Sequence, residues 1–121
     1  MTLTSAVREA MLGKPEQVQP DVRKAAFFFS ENFAGFDGHF PNNPILPGIA
    51  QIMAVALTVH PDGPSRIRKI IRCKFVSIVR TGETMTVEAR CIEAEEGALV
   101  TAECSTDKGI CAHIKLELTF S

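Results

Sequence analysis

The clearest alternation of apolar and polar positions lies near the end of the chain. From 110 to 120 every second residue is apolar, and these residues are Ile110, Ala112, Ile114, Leu116, Leu118 and Phe120. Alternation with a period of two over such a length is typical of a half-buried antiparallel strand. The pattern predicts that the even-numbered side chains enter the core, whereas Cys111 and His113 lie on the opposite face.

Four further segments have the composition or alternation of strands. Residues 25–30 are apolar and rich in phenylalanine, and the segments 85–91 and 100–104 alternate regularly. The segment 70–79 predicts a strand whose inner face carries Ile71, Cys73, Phe75 and Val79. Together with the final strand, these segments predict a sheet with one apolar face.

The first residues predict a short amphipathic helix over 2–13. Thr4 or Ser5 is the expected N-cap, Gly13 is the expected stop, and the apolar side is formed by Val7, Met11 and Leu12.

A second helix is predicted over 49–59, where only Gln51 and Thr58 are polar. A helix that lacks a polar face must be enclosed by other structure on most of its surface. One buried helix and several antiparallel strands predict an α+β fold, a curved antiparallel sheet wrapped around the helix. The length of 121 residues indicates one domain over 1–121, with 2–13 as an N-terminal extension. Such a sheet has an open edge, which a second copy of the chain would close.

Composition argues against nucleic acid as a partner. Thirteen basic and fourteen acidic residues give a net charge of −1, and the chain has no tryptophan or tyrosine to stack on bases, so nucleic acid is not expected to bind. One local basic cluster stands out, comprising Arg66, Arg68, Lys69, Arg72 and Lys74. Two interpretations of this cluster stay open: the solvated face of a strand, or a docking patch for an acidic partner.

The four cysteines show no C-x-x-C pair, so a metal site is not expected. A chain of 121 residues has no room for a cofactor domain beside a substrate domain, and no cofactor is expected. The chain begins without the apolar segment of a secretion signal. Its longest apolar run, 45–59, contains Pro47 and Gln51 and is too short to span a membrane. These features predict a cytoplasmic protein that does not insert into membranes.

The segment 31–48 contains three glycines and three prolines and predicts an ordered, packed loop rather than a regular element. Within it, Gly38–Gly48 reads G-H-F-P-N-N-P-I-L-P-G. This stretch resembles the G-H-F-P-x-x-P-x-x-P-G signature of the 3-hydroxyacyl-acyl carrier protein dehydratases, which have the hot-dog fold. Lys74-Phe75 and the turn 80–83 resemble a second family segment, K-F-x-x-x-V-x-P-G-D, with Thr81 where proline is usual. The resemblance covers about residues 25–120.

The resemblance implies dehydration of (3R)-hydroxyacyl thioesters to trans-2-enoyl thioesters in fatty acid or related acyl-chain biosynthesis. The acyl group is expected on acyl carrier protein or coenzyme A. This reaction needs a base for the C2 proton and polarisation of the thioester carbonyl. His39 is the candidate base, because imidazole titrates near neutral pH. Gly48, at the start of the buried helix, is the candidate oxyanion donor. The residues expected to contact the substrate are Phe40, Pro41, Pro47, Ile49 and Met53.

One position departs from the family pattern. The family carries Glu or Asp on the central helix fourteen positions after the motif histidine, and here that position is Met53. Gln51 lies about 200° away around the helix, and His60 lies about 10 Å further along its axis, so neither replaces the acid directly.

Three explanations stay open for Met53. A water or another group supplies the acid; a different hot-dog chain supplies it across a shared interface; or the chain binds acyl thioesters without dehydrating them. The last defines the alternative function, a non-catalytic hot-dog subunit that binds acyl thioesters or partners an active dehydratase. The family builds its sites across dimer interfaces. A homodimer or higher homo-oligomer is therefore expected, or a hetero-oligomer with another hot-dog chain.

Overall fold

The computed structural model describes residues 2–33 and 45–120. Two helices and six strands occur in these ranges: α1 (Leu3–Ala10), β1 (Glu16–Gln19), β2 (Val22–Phe28), α2 (Gly48–Val59), β3 (Arg66–Phe75), β4 (Thr84–Ala94), β5 (Gly97–Thr106) and β6 (Gly109–Thr119). Neither helix has the length and apolarity needed to cross a membrane.

The strands form one sheet in the order β1-β2-β4-β5-β6-β3, with every neighbouring pair antiparallel. The inner face carries the alternating apolar side chains predicted for the central strands, among them Met85, Val87, Val100 and Leu116, all fully buried. Helix α2 packs against this face, and nine of its twelve residues are buried. The predicted α+β architecture of a curved antiparallel sheet around one buried helix is confirmed.

Helix α2 carries two buried polar side chains, those of Gln51 and Thr58. The hydroxyl of Thr58 donates to the Ala54 carbonyl oxygen at 2.7 Å. At the end of the helix, the guanidinium of Arg23 donates to the Val59 carbonyl oxygen at 2.8 Å, so a cation satisfies a terminal acceptor. The ring of His60 then stacks on Phe120 with centroids 4.3 Å apart.

The first helix is shorter than predicted, because it ends at Ala10 rather than at residue 13. Its N-cap is Thr2, whose side chain accepts from the Ser5 backbone N–H, so the cap expected at Thr4 or Ser5 was wrong. The prediction that Leu12 belongs to the apolar side was also wrong, because its side chain is 56% exposed. The cause is strand pairing: the Leu12 N–H donates to the Ala26 carbonyl oxygen at 2.8 Å, which draws the chain out of the helix.

A β-bulge in β6 overturns the predicted facing of its first residues. Cys104 pairs with Ala112 and Ser105 pairs with Ile110, which leaves Cys111 as an extra residue. Cys111 is consequently buried and Ile110 is 44% exposed, the reverse of the predicted arrangement. From Ala112 onward the predicted alternation is confirmed.

Strand β3 also differs from the prediction for 70–79. It runs from Arg66 to Phe75 along the edge of the sheet, with irregular pairing to β6 near Ile67 and near Ile70. Ile71 and Phe75 are exposed rather than inward, because these irregularities interrupt the alternation at an edge that none of the described strands covers. Val79 is buried as predicted, but it lies beyond the strand.

Candidate functional site

The candidate site is centred on Gly48, the first residue of α2. Pro47 is the N-cap, with an extended backbone and no side-chain hydrogen bond to the helix. Its carbonyl oxygen accepts from the N–H groups of Ala50 at 3.0 Å and Gln51 at 3.4 Å. The N–H groups of Gly48 and Ile49 belong to the first turn and have no acceptor within the helix, where the helix dipole favours negative charge. This helix start can therefore stabilise a developing oxyanion.

Hydrogen bonds to neighbouring segments fix the start of α2 in place. The Leu46 N–H donates to the Val79 carbonyl oxygen at 2.8 Å, and Ile45 pairs with Arg80. The segment after β3 is held in turn by the bulge of β6, where the Cys111 carbonyl oxygen accepts from the Val76 N–H at 2.8 Å. The segment 76–80 thus links the start of the helix to β6.

The ring of Phe75 lies directly against Gly48. A Cβ atom added to Gly48 would stand 2.6 Å from Cζ of Phe75, which is closer than van der Waals contact permits. Phe75 is nonetheless 46% exposed, so its ring has room to move outward. The ring forms an apolar wall beside the helix N–H groups, and any side chain at position 48 would displace it.

The described residues include some of the predicted site but not all of it. His39, Phe40 and Pro41 lie outside the ranges that the structure describes, so their roles stay predictions. Pro47 and Ile49 flank Gly48 at the helix start, and Ile49 is 46% exposed beside it.

Met53 lies one turn beyond Ile49 on the same face of α2. It is half-buried and packs against the edge of the core. The hydroxyl of Thr4 donates to its sulfur at 3.6 Å. A cavity of about 210 Å³ adjoins it, lined by Thr4, Arg8, Met53, Ala56, Leu57, Gly63, Pro64, Ser65 and Ile67. No carboxylate is among the residues that line this cavity.

Gln51 points away from this cavity, as the helical geometry predicts. It is buried at 2% exposure, and its Oε1 lies 3.9 Å from the thiol of Cys111. Burial raises the pKa of that thiol to about 11. Gln51 therefore interacts with the bulge of β6 and does not replace an acid at position 53.

Two features of the site were missed by sequence reasoning. The contact between Phe75 and Gly48 joins residues from different elements, and the inward turn of Cys111 results from a bulge. The only signal in the sequence was the Lys74-Phe75 pair in the second family segment, which marked Phe75 without indicating what it touches.

The conformation of the turn after β3 accounts for the glycine at position 82 and the glutamate at position 83. Gly82 has a φ of +85°, a conformation that favours glycine. The Glu83 carboxylate accepts from the Arg80 backbone N–H at 2.7 Å and closes the turn. These contacts give Gly82 and Glu83 structural roles.

Comparisons with known proteins agree with this architecture. A family model described as ApeI-like, ApeI dehydratase, matches residues 15–115. Among curated proteins, the chain is 39% identical over 64 residues to the 3-hydroxyacyl-acyl-carrier-protein dehydratase FabZ of Thermomicrobium roseum, covering 46% of this chain and 43% of the relative. It is 28% identical over 98 residues to FabZ of Protochlamydia amoebophila, covering 74% and 64%. The chain thus spans about half to two thirds of the length of these relatives.

Among solved structures, the dehydratase heterocomplex ApeI:P from Xenorhabdus doucetiae contains a chain with a TM-score of 0.72 and 26% sequence identity. The alignment covers 90% of this chain and 96% of that one. The hot-dog fold expected from the sequence is confirmed by this match and by the observed sheet and helix. The family model covers most of the domain, and the chain belongs to the ApeI-like dehydratase family.

Proposed function

We propose that this chain takes part in dehydrating (3R)-3-hydroxyacyl thioesters to trans-2-enoyl thioesters, with the acyl group on acyl carrier protein or coenzyme A. The observation that carries the proposal is the start of α2. Gly48 presents its backbone at the N-terminus of a buried helix, as the last residue of the G-H-F-P-x-x-P-x-x-P-G motif and beside the apolar ring of Phe75. Membership in the ApeI-like family supports the same reaction class.

In the proposed reaction, His39 removes a proton from C2 of the acyl chain. The negative charge that develops on the thioester oxygen is stabilised by the Gly48 N–H and the helix dipole. The C3–O bond then breaks, the C2–C3 double bond forms, and the departing hydroxyl takes a proton and leaves as water. Pro47 and Ile49, with Phe40, Pro41 and Met53, supply apolar contacts to the acyl chain.

The proton for the departing hydroxyl requires an acid that Met53 does not provide. A second copy of this chain would bring another methionine to the same position, so it cannot restore the usual helix acid. We therefore favour a different hot-dog chain as the source of the acid, with water as the alternative. The heterocomplex of the Xenorhabdus relative supports such an assembly.

The test is turnover of a 3-hydroxyacyl thioester, offered on acyl carrier protein and on coenzyme A, by the purified protein alone and together with any hot-dog chain that co-purifies with it. We expect His39→Ala to lower kcat by at least about 100-fold, the usual contribution of a positioned base. His113→Ala is the matched control, since His113 is exposed on β6 and lies near Glu103. Equal and measurable rates for wild type and His39→Ala would overturn the role of His39.

The alternative function is a non-catalytic hot-dog subunit that binds acyl thioesters or stabilises an active paralogue. The observation that favours it is Met53, with no carboxylate lining the adjoining cavity. It predicts a folded protein with no turnover alone and measurable binding to a partner hot-dog chain. The cytoplasmic location stays a prediction under either function.

A further inference from the structure

The outer face of the sheet, opposite α2, holds a cavity of about 570 Å³. Its wall consists largely of side chains of β3, β4, β5 and β6 that alternate with the buried core residues of these strands. The volume lies within the range of about 300–1,000 Å³ that is typical of small-molecule sites. Pro47, Gly48 and Ile49 are not among the lining residues, so this cavity is separate from the start of α2.

A row of cationic and hydroxyl side chains crosses the cavity from strand to strand. Arg90 on β4 pairs with Thr101 on β5, and Thr101 pairs with Lys115 on β6. Lys115 pairs in turn with Arg72 on β3, and Lys74 follows Arg72 two residues along the same face. Because neighbouring strands lie about 4.8 Å apart, Arg72, Lys74 and Lys115 form a compact cation triad.

The cation triad is not neutralised by the residues around it. None of its members forms an ion pair within residues 2–33 and 45–120, and β3 carries no Asp or Glu. Lys115 is half-buried, and the carboxylate of Glu117, two residues further along β6, does not pair with it. Like charges directly opposite each other on neighbouring strands destabilise a sheet. The pair of Lys115 and Arg72 therefore favours an anion bound between the two side chains.

Carboxylates line the neighbouring part of the cavity. Glu88 on β4 pairs with Glu103 on β5, and both side chains are exposed one row away from the cations. Glu103 pairs in turn with His113, whose Nδ1 lies 3.8 Å from Oε2 of Glu103. The guanidinium of Arg90 forms an ion pair at 2.5 Å with Asp21, which does not line the cavity. The cavity thus has a cationic half, formed by the triad, and a half that accepts hydrogen bonds.

We propose that this outer-face cavity binds a small organic phosphate that also carries hydroxyl or amino groups. The phosphoryl group lies between Arg72, Lys74 and Lys115, because guanidinium and ammonium groups form charge-assisted hydrogen bonds with phosphate oxygens. The hydroxyl or amino groups of the ligand donate to the carboxylates of Glu88 and Glu103. The ligand therefore satisfies both halves of the cavity at once.

The two carboxylates distinguish this ligand from larger acidic partners. An acidic protein surface or an anionic membrane on this face would bring negative charge onto Glu88 and Glu103 as well as onto the triad. Inorganic phosphate uses only the cationic half. A nucleoside monophosphate or a sugar phosphate uses both halves and has a size that suits the cavity. The proposal does not depend on dehydratase turnover, since the cavity and the start of α2 lie on opposite faces of the sheet.

Adenosine 5′-monophosphate (AMP) is the probe, because it combines a phosphate with ribose hydroxyls and an amino group. Isothermal titration calorimetry measures its Kd for the protein as purified, with any chain that co-purifies, at about 0.05 M salt so that surface charges are weakly screened. Adenosine and inorganic phosphate, each offering one part of the ligand, are titrated in parallel. We expect AMP to bind at least about tenfold more tightly than either part. The backbone amide NMR signals of Thr101 and Lys115 should shift on binding, whereas that of Gly48 should not.

Arg72→Gln with Lys115→Gln removes two members of the triad. Arg66→Gln with Arg68→Gln is the matched control, since it removes the same charge from exposed side chains of β3 that do not line the cavity. We expect the first pair to weaken AMP binding at least about tenfold and the control pair to weaken it less than about twofold. An equal loss in both variants would assign the effect to diffuse charge and overturn the proposal.

Glu88→Ala with Glu103→Ala tests the half that accepts hydrogen bonds. Removing the carboxylates lowers the repulsion of any anion, so the informative quantity is the ratio of the Kd values for inorganic phosphate and AMP. We expect this preference for AMP to fall at least about fivefold. An unchanged preference, or AMP binding no tighter than inorganic phosphate in the wild type, would contradict the proposal. Binding of coenzyme A without binding of AMP would also contradict it, by assigning the cations to the substrate carrier.

Thermal unfolding at low salt checks the fold of each variant. The Tm of Arg72→Gln with Lys115→Gln should be no lower than that of the wild type, because a like-charged cross-strand pair has been removed. If this variant is misfolded, Lys74→Gln removes the remaining, exposed member of the triad. It should weaken AMP binding at least about threefold, and an unchanged Kd would contradict the proposal.

Discussion

The hydroxyl of Thr4 lies 3.6 Å from the sulfur of Met53 and joins the first turn of α1 to the middle of α2. Position 53 is where the dehydratases that this chain resembles carry an acid. The side chain there is half-buried beside a cavity of about 210 Å³, so an acid introduced at this position has both a neighbouring hydroxyl and space for a substrate hydroxyl. The missing acid can therefore be restored within this chain.

Met53→Glu is expected to raise kcat for a 3-hydroxyacyl thioester by about 100-fold, the lower end of what a positioned acid contributes. Met53→Gln has nearly the same shape but no proton to give, and it should leave kcat unchanged. Turnover of both variants is measured by the absorbance of the enoyl thioester, with thermal unfolding as the folding control. A folded Met53→Glu protein without any gain would show that the acid is not what limits turnover.

The contact between Phe75 and Gly48 predicts how two substitutions combine. Gly48→Ala should reduce kcat/KM by about 100-fold, because its methyl group blocks approach of the thioester to the helix N–H groups. Phe75→Ala should reduce kcat/KM less than about tenfold. Because the Phe75 ring is half-exposed and can move, Gly48→Ala should change the free energy of unfolding by less than about 1 kcal/mol.

The double variant Gly48→Ala with Phe75→Ala separates two reasons for glycine at position 48. If glycine serves substrate approach, the double variant stays as slow as Gly48→Ala. Recovery to the rate of Phe75→Ala alone would show that the glycine only makes room for the ring. Steady-state kinetics of the four proteins provide the comparison.

The bulge in β6 predicts opposite tolerance at two adjacent residues. Ile110→Lys should change the free energy of unfolding by no more than about 0.5 kcal/mol, because this side chain already reaches solvent. Cys111→Lys should cost about 3 kcal/mol or more, since it places a charge in the core. Urea unfolding at one protein concentration measures both variants. The reverse order would show that strict alternation holds and that the bulge is absent.

The buried thiols predict a loss of stability at alkaline pH. Burial raises the pKa of Cys111 to about 11 and that of Cys104 further, from an ordinary 9.0. Above pH 9 the unfolded chain releases these protons and the folded chain keeps them, so the free energy of unfolding falls as the pH rises. The slope is up to about 1.4 kcal/mol per pH unit for each thiol.

The measurement is urea unfolding at several pH values between about 8 and 10.5, under reducing conditions, spanning the ordinary thiol pKa. Replacing Cys104 and Cys111 by alanine lowers stability at every pH through lost packing, but it should flatten the slope. An unchanged slope in this double variant would contradict the assignment of the alkaline loss to these thiols.

The alternation of apolar and polar residues predicted the facing of side chains correctly in strands that pair regularly. Strands β4 and β5 follow their alternation because they lie in the middle of the sheet, with partners on both sides. The predictions for Ile71 and Ile110 were wrong because bulges shift the facing of side chains. A bulge depends on how two strands pair, and the alternation within one strand does not contain that information.

In the candidate site, too, some features were predictable from the sequence and others were not. The residues around Gly48 were predictable because the motif and the apolar run mark where α2 begins, and the absence of an acid at Met53 was visible in the sequence alone. The ring of Phe75 against Gly48 and the thiol of Cys111 beside Gln51 were not predictable, because each contact joins residues that are distant along the chain.

By itself, the sequence determined the fold class, the buried helix and the basic character of residues 66–74, since these depend on residue type and on short-range periodicity. Only the tertiary structure decided that this basic segment is the open edge of the sheet, and that Phe75 at its end covers the start of α2. Strand order and edge exposure result from long-range pairing, which depends on the free energy of the whole sheet rather than on any one segment.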